Sequence, residues 1–178
     1  MEAVDRDDAG AQQKQLIWAG LLFGIGLGGF FDGIVLHQIL QWHHMLTSEG
    51  SYPATTVAGL ETNTLWDGLF HALTYVATGA GLALLWRAMR TPHYAPLPTA
   101  LLVGLLLMGW GSFNLVEGTV DHHILTIHHV REDSSNKAFW DLAFLIWGAL
   151  MLVGGWLLAK SIPGPMERRR PSRGSRPS

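Results

Sequence analysis

The apolar residues of this chain are gathered into long blocks instead of recurring with the periodicity of a soluble helix. Four blocks cover approximately residues 15–40, 64–86, 98–125 and 138–159, and each reaches the ~20 residues that cross a bilayer. Apart from a few acids and histidines they carry almost no charge, whereas long soluble helices need polar residues on their outer faces. The pattern predicts an all-α integral membrane protein with four spans.

One polar pattern within these blocks occurs twice. Residues 31–44 read FDGIVLHQILQWHH and residues 116–129 read VEGTVDHHILTIHH, and the copies align without a gap. In both, an acid is followed by a histidine, and a pair of histidines closes the copy. The equivalent pairs are Asp32 and Glu117, His37 and His122, His43 and His128, and His44 and His129.

A shorter pattern also occurs twice, because Trp66-Asp67 and Trp140-Asp141 each introduce an apolar block. Each copy of the longer pattern is thus followed by one copy of the shorter pattern. We therefore predict a four-helix bundle built from two repeated two-helix hairpins, at about residues 15–86 and 98–160.

The basic residues predict the orientation of the four spans. The N-terminus, the middle loop and the C-terminus together carry ten Lys and Arg, against two in the other loops, which places both termini in the cytoplasm. We predict a cytoplasmic tail at residues 1–14, a membrane domain at 15–160 and a basic cytoplasmic tail at 161–178. The acidic leader argues against a cleavable signal sequence.

Composition excludes several classes of site and partner. Because the chain has no cysteine, thiolate zinc sites, iron–sulfur clusters and disulfides are excluded. A net charge of −2 argues against a large basic face for nucleic acid. The expected partner is the lipid bilayer, with a redox partner or a homo-oligomer left open.

The acids and histidines within the spans are the candidate functional residues. If the first span enters the bilayer near residue 15, a rise of ~1.5 Å per residue puts Asp32 about 25 Å and His37 about 33 Å along it. The same spacing places Glu117 and His122 near the outer surface. Ionisable groups inside spans are expensive to bury, and their default interpretation is a functional site.

We predict that these residues form two layers, because seven residues along a straight helix span ~10.5 Å and separate His37 from His44. The deeper layer supplies the metal ligands His37, His122, His71, Asp32, Glu117, Asp67 and Asp141. The outer layer contains His44 and His129, as ligands or proton carriers, with His43, His128 and Asp121 beside them. No residue is assigned a catalytic role.

Carboxylates combined with histidines are the ligand inventory of the di-iron carboxylate bundles, although the Glu-x-x-His spacing of those proteins is absent here. Such ligands suit iron, manganese or zinc, and the histidine-rich outer layer would also suit copper. We expect iron, in a one- or two-metal centre for redox or oxygen-related chemistry, as in a metal-dependent membrane oxidoreductase. Three alternatives stay open: a b-type haem protein with axial ligands His37 and His122, a metal-binding or transport protein, and a purely structural polar plug.

The paired D-G-x-x-x-H and H-H signatures, with the W-D-x-x-F motifs, resemble a family of four-span prokaryotic membrane proteins whose shared domain has no assigned function. The resemblance covers about residues 15–160. It implies a multi-pass protein of the prokaryotic plasma membrane and implies no activity. Membrane di-iron hydroxylases and desaturases are less similar, because their histidines follow an HxxHH pattern at cytoplasmic helix ends.

Overall fold

The computed structural model describes residues 2–91 and 96–161. The helices are α1 (Glu2–Phe30), α2 (Val57–Met89), α3 (Thr99–Glu117) and α4 (Lys137–Lys160), and α1 and α3 continue into π-helical segments at Phe31–Ile39 and Gly118–Ile124. No strand occurs in these described ranges. The predicted all-α class is confirmed.

The four predicted spans are also confirmed. The helices long and apolar enough to cross a membrane are Ala9–Ile39, Val57–Met89, Thr99–Ile124 and Lys137–Lys160. Helices α2 and α4 expose large apolar side chains, such as Leu73 at 70% and Leu150 at 62%. Such faces suit contact with lipid, since a helix that is apolar all round belongs in a core or a membrane.

The first helix begins earlier than the apolar block suggested. Residues 2–14, predicted as a polar tail, continue α1 toward its N-terminus. The Gln12 amide donates hydrogen bonds to Thr91 Oγ1 at 2.7 Å and to Ala88 O at 3.3 Å, which fixes this end of α1 to the end of α2. The predicted basic tail lies outside the described residues, apart from Ser161.

Helices α1 and α3 form the centre of the bundle. Helix α1 packs against both α2 and α3, and α3 packs against α4. The central pair meets at Gly24 and Gly109, where an added Cβ would lie 2.2 Å from Leu106 O and 2.1 Å from Leu21 O, respectively. Extending the alignment of the two copies pairs Gly24 with Gly109, so the helices cross at equivalent positions.

We expect Gly24→Ala to destabilise the bundle, because the new methyl group would meet a backbone carbonyl that cannot rotate away. Overpacking of this kind costs about 1–3 kcal/mol, which corresponds to a fall of roughly 2–10 °C in Tm. Thermal unfolding in mild detergent measures the effect. Gly79→Ala is the matched control, since nothing lies within 4 Å of its added Cβ; equal Tm values for both variants would contradict the expectation.

Candidate metal centre

The site is built where each central helix changes from an α- to a π-helical hydrogen-bond pattern. Leu40 N donates to Val35 O at 2.8 Å, and the equivalent Leu125 N donates to Val120 O at 2.8 Å. Both bonds join residues five apart, as in a π-helix, and such π turns occur often at functional sites. The wider turn alters the direction of the side chains that follow the acid in each copy.

Each π-helical segment ends in a sharp reversal. Gln41 and Thr126 both have φ of 51°, a left-handed conformation that is uncommon for residues other than glycine. The chain therefore leaves the helix, and the ring of His43 comes to lie 4.3 Å from the ring of His37. The prediction of an outer layer assumed that each helix continues straight. Because the chain leaves the helix, His43 and His128 lie beside His37 and His122 instead.

His37, His43, His122 and His128 form one cluster, and none of them is more than 2% exposed. The rings of His43 and His128 are stacked, with centroids 4.5 Å apart and an interplanar angle of 6°. The centroid of His122 lies 4.9 Å from that of His128. Histidines from both halves of the chain therefore meet in a single buried group.

The stacked pair is held by hydrogen bonds that cross between the two halves. His43 Nδ1 donates to Val130 O at 2.8 Å, and His128 Nδ1 donates to Met45 O at 3.2 Å. Burial, together with the nearby His128, lowers the pKa of His43 well below its usual value. A neutral ring that donates through Nδ1 carries its lone pair on Nε2, so Nε2 of His43 is available as a ligand.

The other two histidines are oriented by carboxylates. His37 Nδ1 lies 2.9 Å from Asp67 Oδ1, and His122 Nδ1 lies 3.6 Å from Asp141 Oδ1. The first distance is a hydrogen bond, and the second is longer than one. A carboxylate behind a histidine is the usual support of a metal-binding imidazole.

The Nε2 atoms of the cluster face two further carboxylates. His37 Nε2 lies 3.2 Å from Asp32 Oδ2. Glu117 Oε1 lies 3.1 Å from His122 Nε2 and 3.0 Å from His128 Nε2. Both acids are buried, so two carboxylates and four imidazoles share one space away from solvent.

Most atoms at the centre of this group have no hydrogen-bond partner. Across the described residues, six of the seven buried side-chain nitrogen and oxygen atoms without a partner belong to the cluster. They are Asp32 Oδ2, His37 Nε2, His43 Nε2, Glu117 Oε2, His122 Nδ1 and His122 Nε2. Buried polar atoms are normally paired, so this concentration of histidine and carboxylate atoms suits the binding of an ion.

Two sets of three ligand atoms have the spacing that a metal ion needs. One set comes from His37, His43 and His128, and the other comes from Glu117, His122 and His128; within each set all three atoms lie within 4.8 Å of one another. Bonds of ~2.0–2.2 Å to nitrogen or oxygen are compatible with this spacing. His128 belongs to both sets and joins the two halves of the site.

Asp67 and Asp141, predicted as ligands, lie behind the cluster and not at its centre. Besides its contact with His37, Asp67 accepts hydrogen bonds from His44 Nδ1 at 2.7 Å and Met45 N at 3.0 Å. These bonds occupy its carboxylate oxygens. The geometry makes Asp67 a support for the rings of His37 and His44.

The second half repeats this arrangement around Asp141. Its carboxylate accepts hydrogen bonds from His129 Nδ1 at 2.7 Å and Val130 N at 2.9 Å. His44 and His129, predicted as an outer layer, thus turn Nδ1 toward the supporting acids. His71 belongs to neither ligand set, and its Nδ1 donates to Asp67 O within the same helix at 2.8 Å.

The loops that carry the stacked histidines are tied together. Glu132 N donates to Trp42 O at 2.9 Å, and the Glu132 carboxylate accepts hydrogen bonds from Ser48, Lys137 and His129 N. Burial works to raise the pKa of Glu132, but these hydrogen bonds and the Lys137 charge hold it below its usual value. An ionised Glu132 therefore fastens the loop of one half to the loop of the other.

The supports missed by sequence reasoning are the carbonyls of Met45 and Val130. Backbone oxygens have no residue signature, so no motif could identify them. One signal was present: each follows directly on a histidine pair, at equivalent positions of the two copies.

The fold and the site together define the class of the protein. It is a four-span α-helical membrane protein with a buried cluster of histidines and carboxylates. Residues 19–162 match the family described as "Predicted membrane protein (DUF2243)", and the chain belongs to this family. The resemblance expected from the paired motifs is confirmed. Neither the curated proteins nor the solved structures include a significant match to the chain.

Proposed function

We propose that this protein is a membrane metalloprotein that holds one or two transition-metal ions in the buried cluster. The ligands would be Nε2 of His37, His43, His122 and His128, with carboxylate oxygens of Asp32 and Glu117. The observation that carries the proposal is the convergence of buried ligand atoms without hydrogen-bond partners. Without metal, ion pairs such as His37 Nε2 to Asp32 Oδ2 at 3.2 Å and His122 Nε2 to Glu117 Oε1 at 3.1 Å would form a polar plug. The spacing of the two ligand sets is what favours a metal over the plug.

The donor set favours iron, with manganese, zinc or copper also compatible with imidazole and carboxylate ligands. An iron centre would supply redox or oxygen-related chemistry. The chain's contribution is to exclude water and to orient the rings, because Asp67 and the carbonyls of Met45 and Val130 fix the Nδ1 side of three imidazoles. Such supports also raise the basicity of the ligating nitrogen.

A haem bound between His37 and His122 is less compatible with this arrangement. The ring of His43 lies 4.3 Å from that of His37, and the ring of His128 lies 4.9 Å from that of His122. Asp32 Oδ2 lies 3.2 Å from His37 Nε2 and Glu117 Oε1 lies 3.1 Å from His122 Nε2, so rings and carboxylates occupy the space in front of both nitrogens where a haem iron would have to bind. We therefore favour a non-haem centre.

Elemental analysis and an absorption spectrum of protein purified in mild detergent test the proposal. We expect about one or two metal atoms per chain, without a Soret band, and their loss from a His37→Ala/His122→Ala double variant. His123→Ala is the matched control, since this neighbouring histidine is exposed and should leave the metal in place. Protein that binds no metal when each candidate ion is supplied would refute the proposal.

We also propose a location in the prokaryotic plasma membrane, as the family resemblance implies. The distribution of Lys and Arg supports both termini in the cytoplasm. In that orientation the cluster lies toward the outer surface. A redox partner on that side is consistent with the proposed chemistry.

Cysteine labelling can establish the orientation, because the chain has no cysteine of its own. We expect Ser51→Cys, in the exposed loop before α2, to react in intact cells with a thiol reagent that cannot cross membranes. Ser161→Cys, exposed at the end of α4, should react only after the cells are opened. The reverse pattern would invert the assigned topology.

A further inference from the structure

An apolar cavity of about 440 Å³ lies beside the metal centre and is open to the outer face of the bundle, where Trp66, Leu73 and Val116 are exposed. Aromatic side chains of Trp66, Phe70 and Phe113 contribute to its walls, and Glu117 and Asp121 are the acids that line it. The volume is within the range of small-molecule sites, which are mostly apolar with a few polar groups that fix orientation.

The cavity is lined at positions where the two copies of the long motif differ. Asp121 occupies the position of Leu36 in the first copy, and Val116 occupies the position of Phe31. The second copy therefore has a carboxylate in place of an apolar side chain, and a small side chain in place of a ring. Both differences make this side of the bundle more suitable for a ligand.

The polar groups of the cavity define what the ligand must offer. Glu117 is only 6% exposed, and its Oε2 has no hydrogen-bond partner. Carboxylates accept hydrogen bonds, so the ligand must donate at this position. The aromatic walls suit a flat ring, because offset stacked and edge-on ring contacts are favourable.

We infer that the cavity binds a lipid-soluble aromatic molecule with hydroxyl groups on its ring, such as an alkylated hydroquinone or phenol. Its hydroxyl donates to Glu117 or Asp121, its ring packs against Trp66 and Phe70, and its alkyl chain follows the apolar walls. The cavity is formed by protein side chains alone, so this binding does not require the metal. It would nevertheless bring the hydroxyl next to the proposed centre through Glu117.

Equilibrium binding of hexylhydroquinone to metal-free protein in mild detergent, without oxygen, tests the inference. We expect one saturable site for hexylhydroquinone and at least about tenfold weaker binding of hexylbenzene, which lacks the hydroxyls. Asp121→Leu and Val116→Phe, each of which copies the first repeat, should weaken hexylhydroquinone binding by about tenfold or more. Val153→Phe, on the exposed face of α4, should bind like the wild type.

Equal binding of hexylhydroquinone and hexylbenzene would overturn the inference, since it would indicate simple partition into an apolar groove. Wild-type affinity in both cavity variants would overturn it too. Metal content measured separately on metal-loaded samples distinguishes this result from failure of the metal proposal, because the binding experiment uses metal-free protein.

Discussion

His43→Ala and His128→Ala are each expected to remove metal from the cluster. The sequence placed these two histidines in an outer layer, whereas the structure stacks them at the centre of the cluster. Each presents Nε2 while its Nδ1 is held by a carbonyl from the other half of the chain. The two rings have different carbonyl partners, so neither histidine can take over the position of the other.

The two substitutions should differ in extent. His128 belongs to both sets of ligand atoms, whereas His43 belongs to one. Since His128 Nε2 has one lone pair and binds one ion, His128→Ala should abolish binding in whichever set it serves, whereas His43→Ala should spare the set that contains Glu117 and His122. Loss of a direct ligand is expected to reduce affinity by more than the ~10- to 100-fold typical of a supporting residue.

Metal titration of purified variants, read by elemental analysis, measures these affinities. His71→Ala is the informative control, because the sequence predicted His71 as a ligand while the structure places it in neither set of ligand atoms. We expect this variant to retain its metal. Loss of metal from His71→Ala together with full retention in His43→Ala would restore the layered arrangement and reject the cluster.

Asp67→Ala is expected to destabilise the fold more than any other substitution on α2. Its carboxylate is only 1% exposed and accepts hydrogen bonds from His37, His44 and Met45 N. Removing it leaves the buried donor of His37 and the half-buried donors of His44 and Met45 unpaired, and breaking a buried charged network costs about 3–5 kcal/mol. Thermal unfolding in detergent should show a decrease of roughly 10 °C or more in Tm.

Asp67→Asn separates the supporting role from packing, since it keeps the shape and removes the charge. We expect a smaller loss of stability but a metal affinity lower by ~10- to 100-fold. Glu61→Gln on the exposed face of the same helix is the control and should change neither property. Unchanged metal affinity in Asp67→Asn would show that this carboxylate does not orient His37.

The sequence was sufficient for the architecture because lipid imposes strong constraints on composition. Spans of about 20 apolar residues are recognisable without knowledge of packing, and buried acids such as Asp32 and Glu117 stand out against them. The arrangement of α1 and α3 at the centre was not predicted, since it depends on the close approach of Gly24 and Gly109. That the chain consists of two repeated units stays a prediction, which the matched φ angles and hydrogen bonds of the two halves favour.

The site was predicted in composition but not in arrangement, for a specific physical reason. Angles of 100° per residue hold for a straight α-helix, and both copies leave that geometry before their histidine pairs. Glycine at these two positions would have indicated a left-handed turn, but Gln41 and Thr126 gave no such indication. The prediction therefore did not bring the rings of His43 and His128 next to those of His37 and His122.

Sequence also could not rank the acids. Asp67 and Asp32 are both buried, and both lie near His37. The rotation of the His37 imidazole decides which acid supports the ring and which faces the centre of the cluster. The sequence contains no information on this rotation. Only the bonds from His44 and Met45 to Asp67 distinguish the two roles.

The crossed hydrogen bonds of the stacked histidines have a consequence for biogenesis. Chains are synthesised from the N-terminus, and the carbonyl that fixes His43 belongs to Val130, 87 residues further along. The first hairpin is therefore inserted into the bilayer before the carbonyl that holds His43 has been synthesised. The site is complete only after the second hairpin is inserted and docks. Capture of the proposed metal would then be a late event in maturation, and a chain truncated before the third helix would lack His122, His128 and the Val130 carbonyl that holds His43.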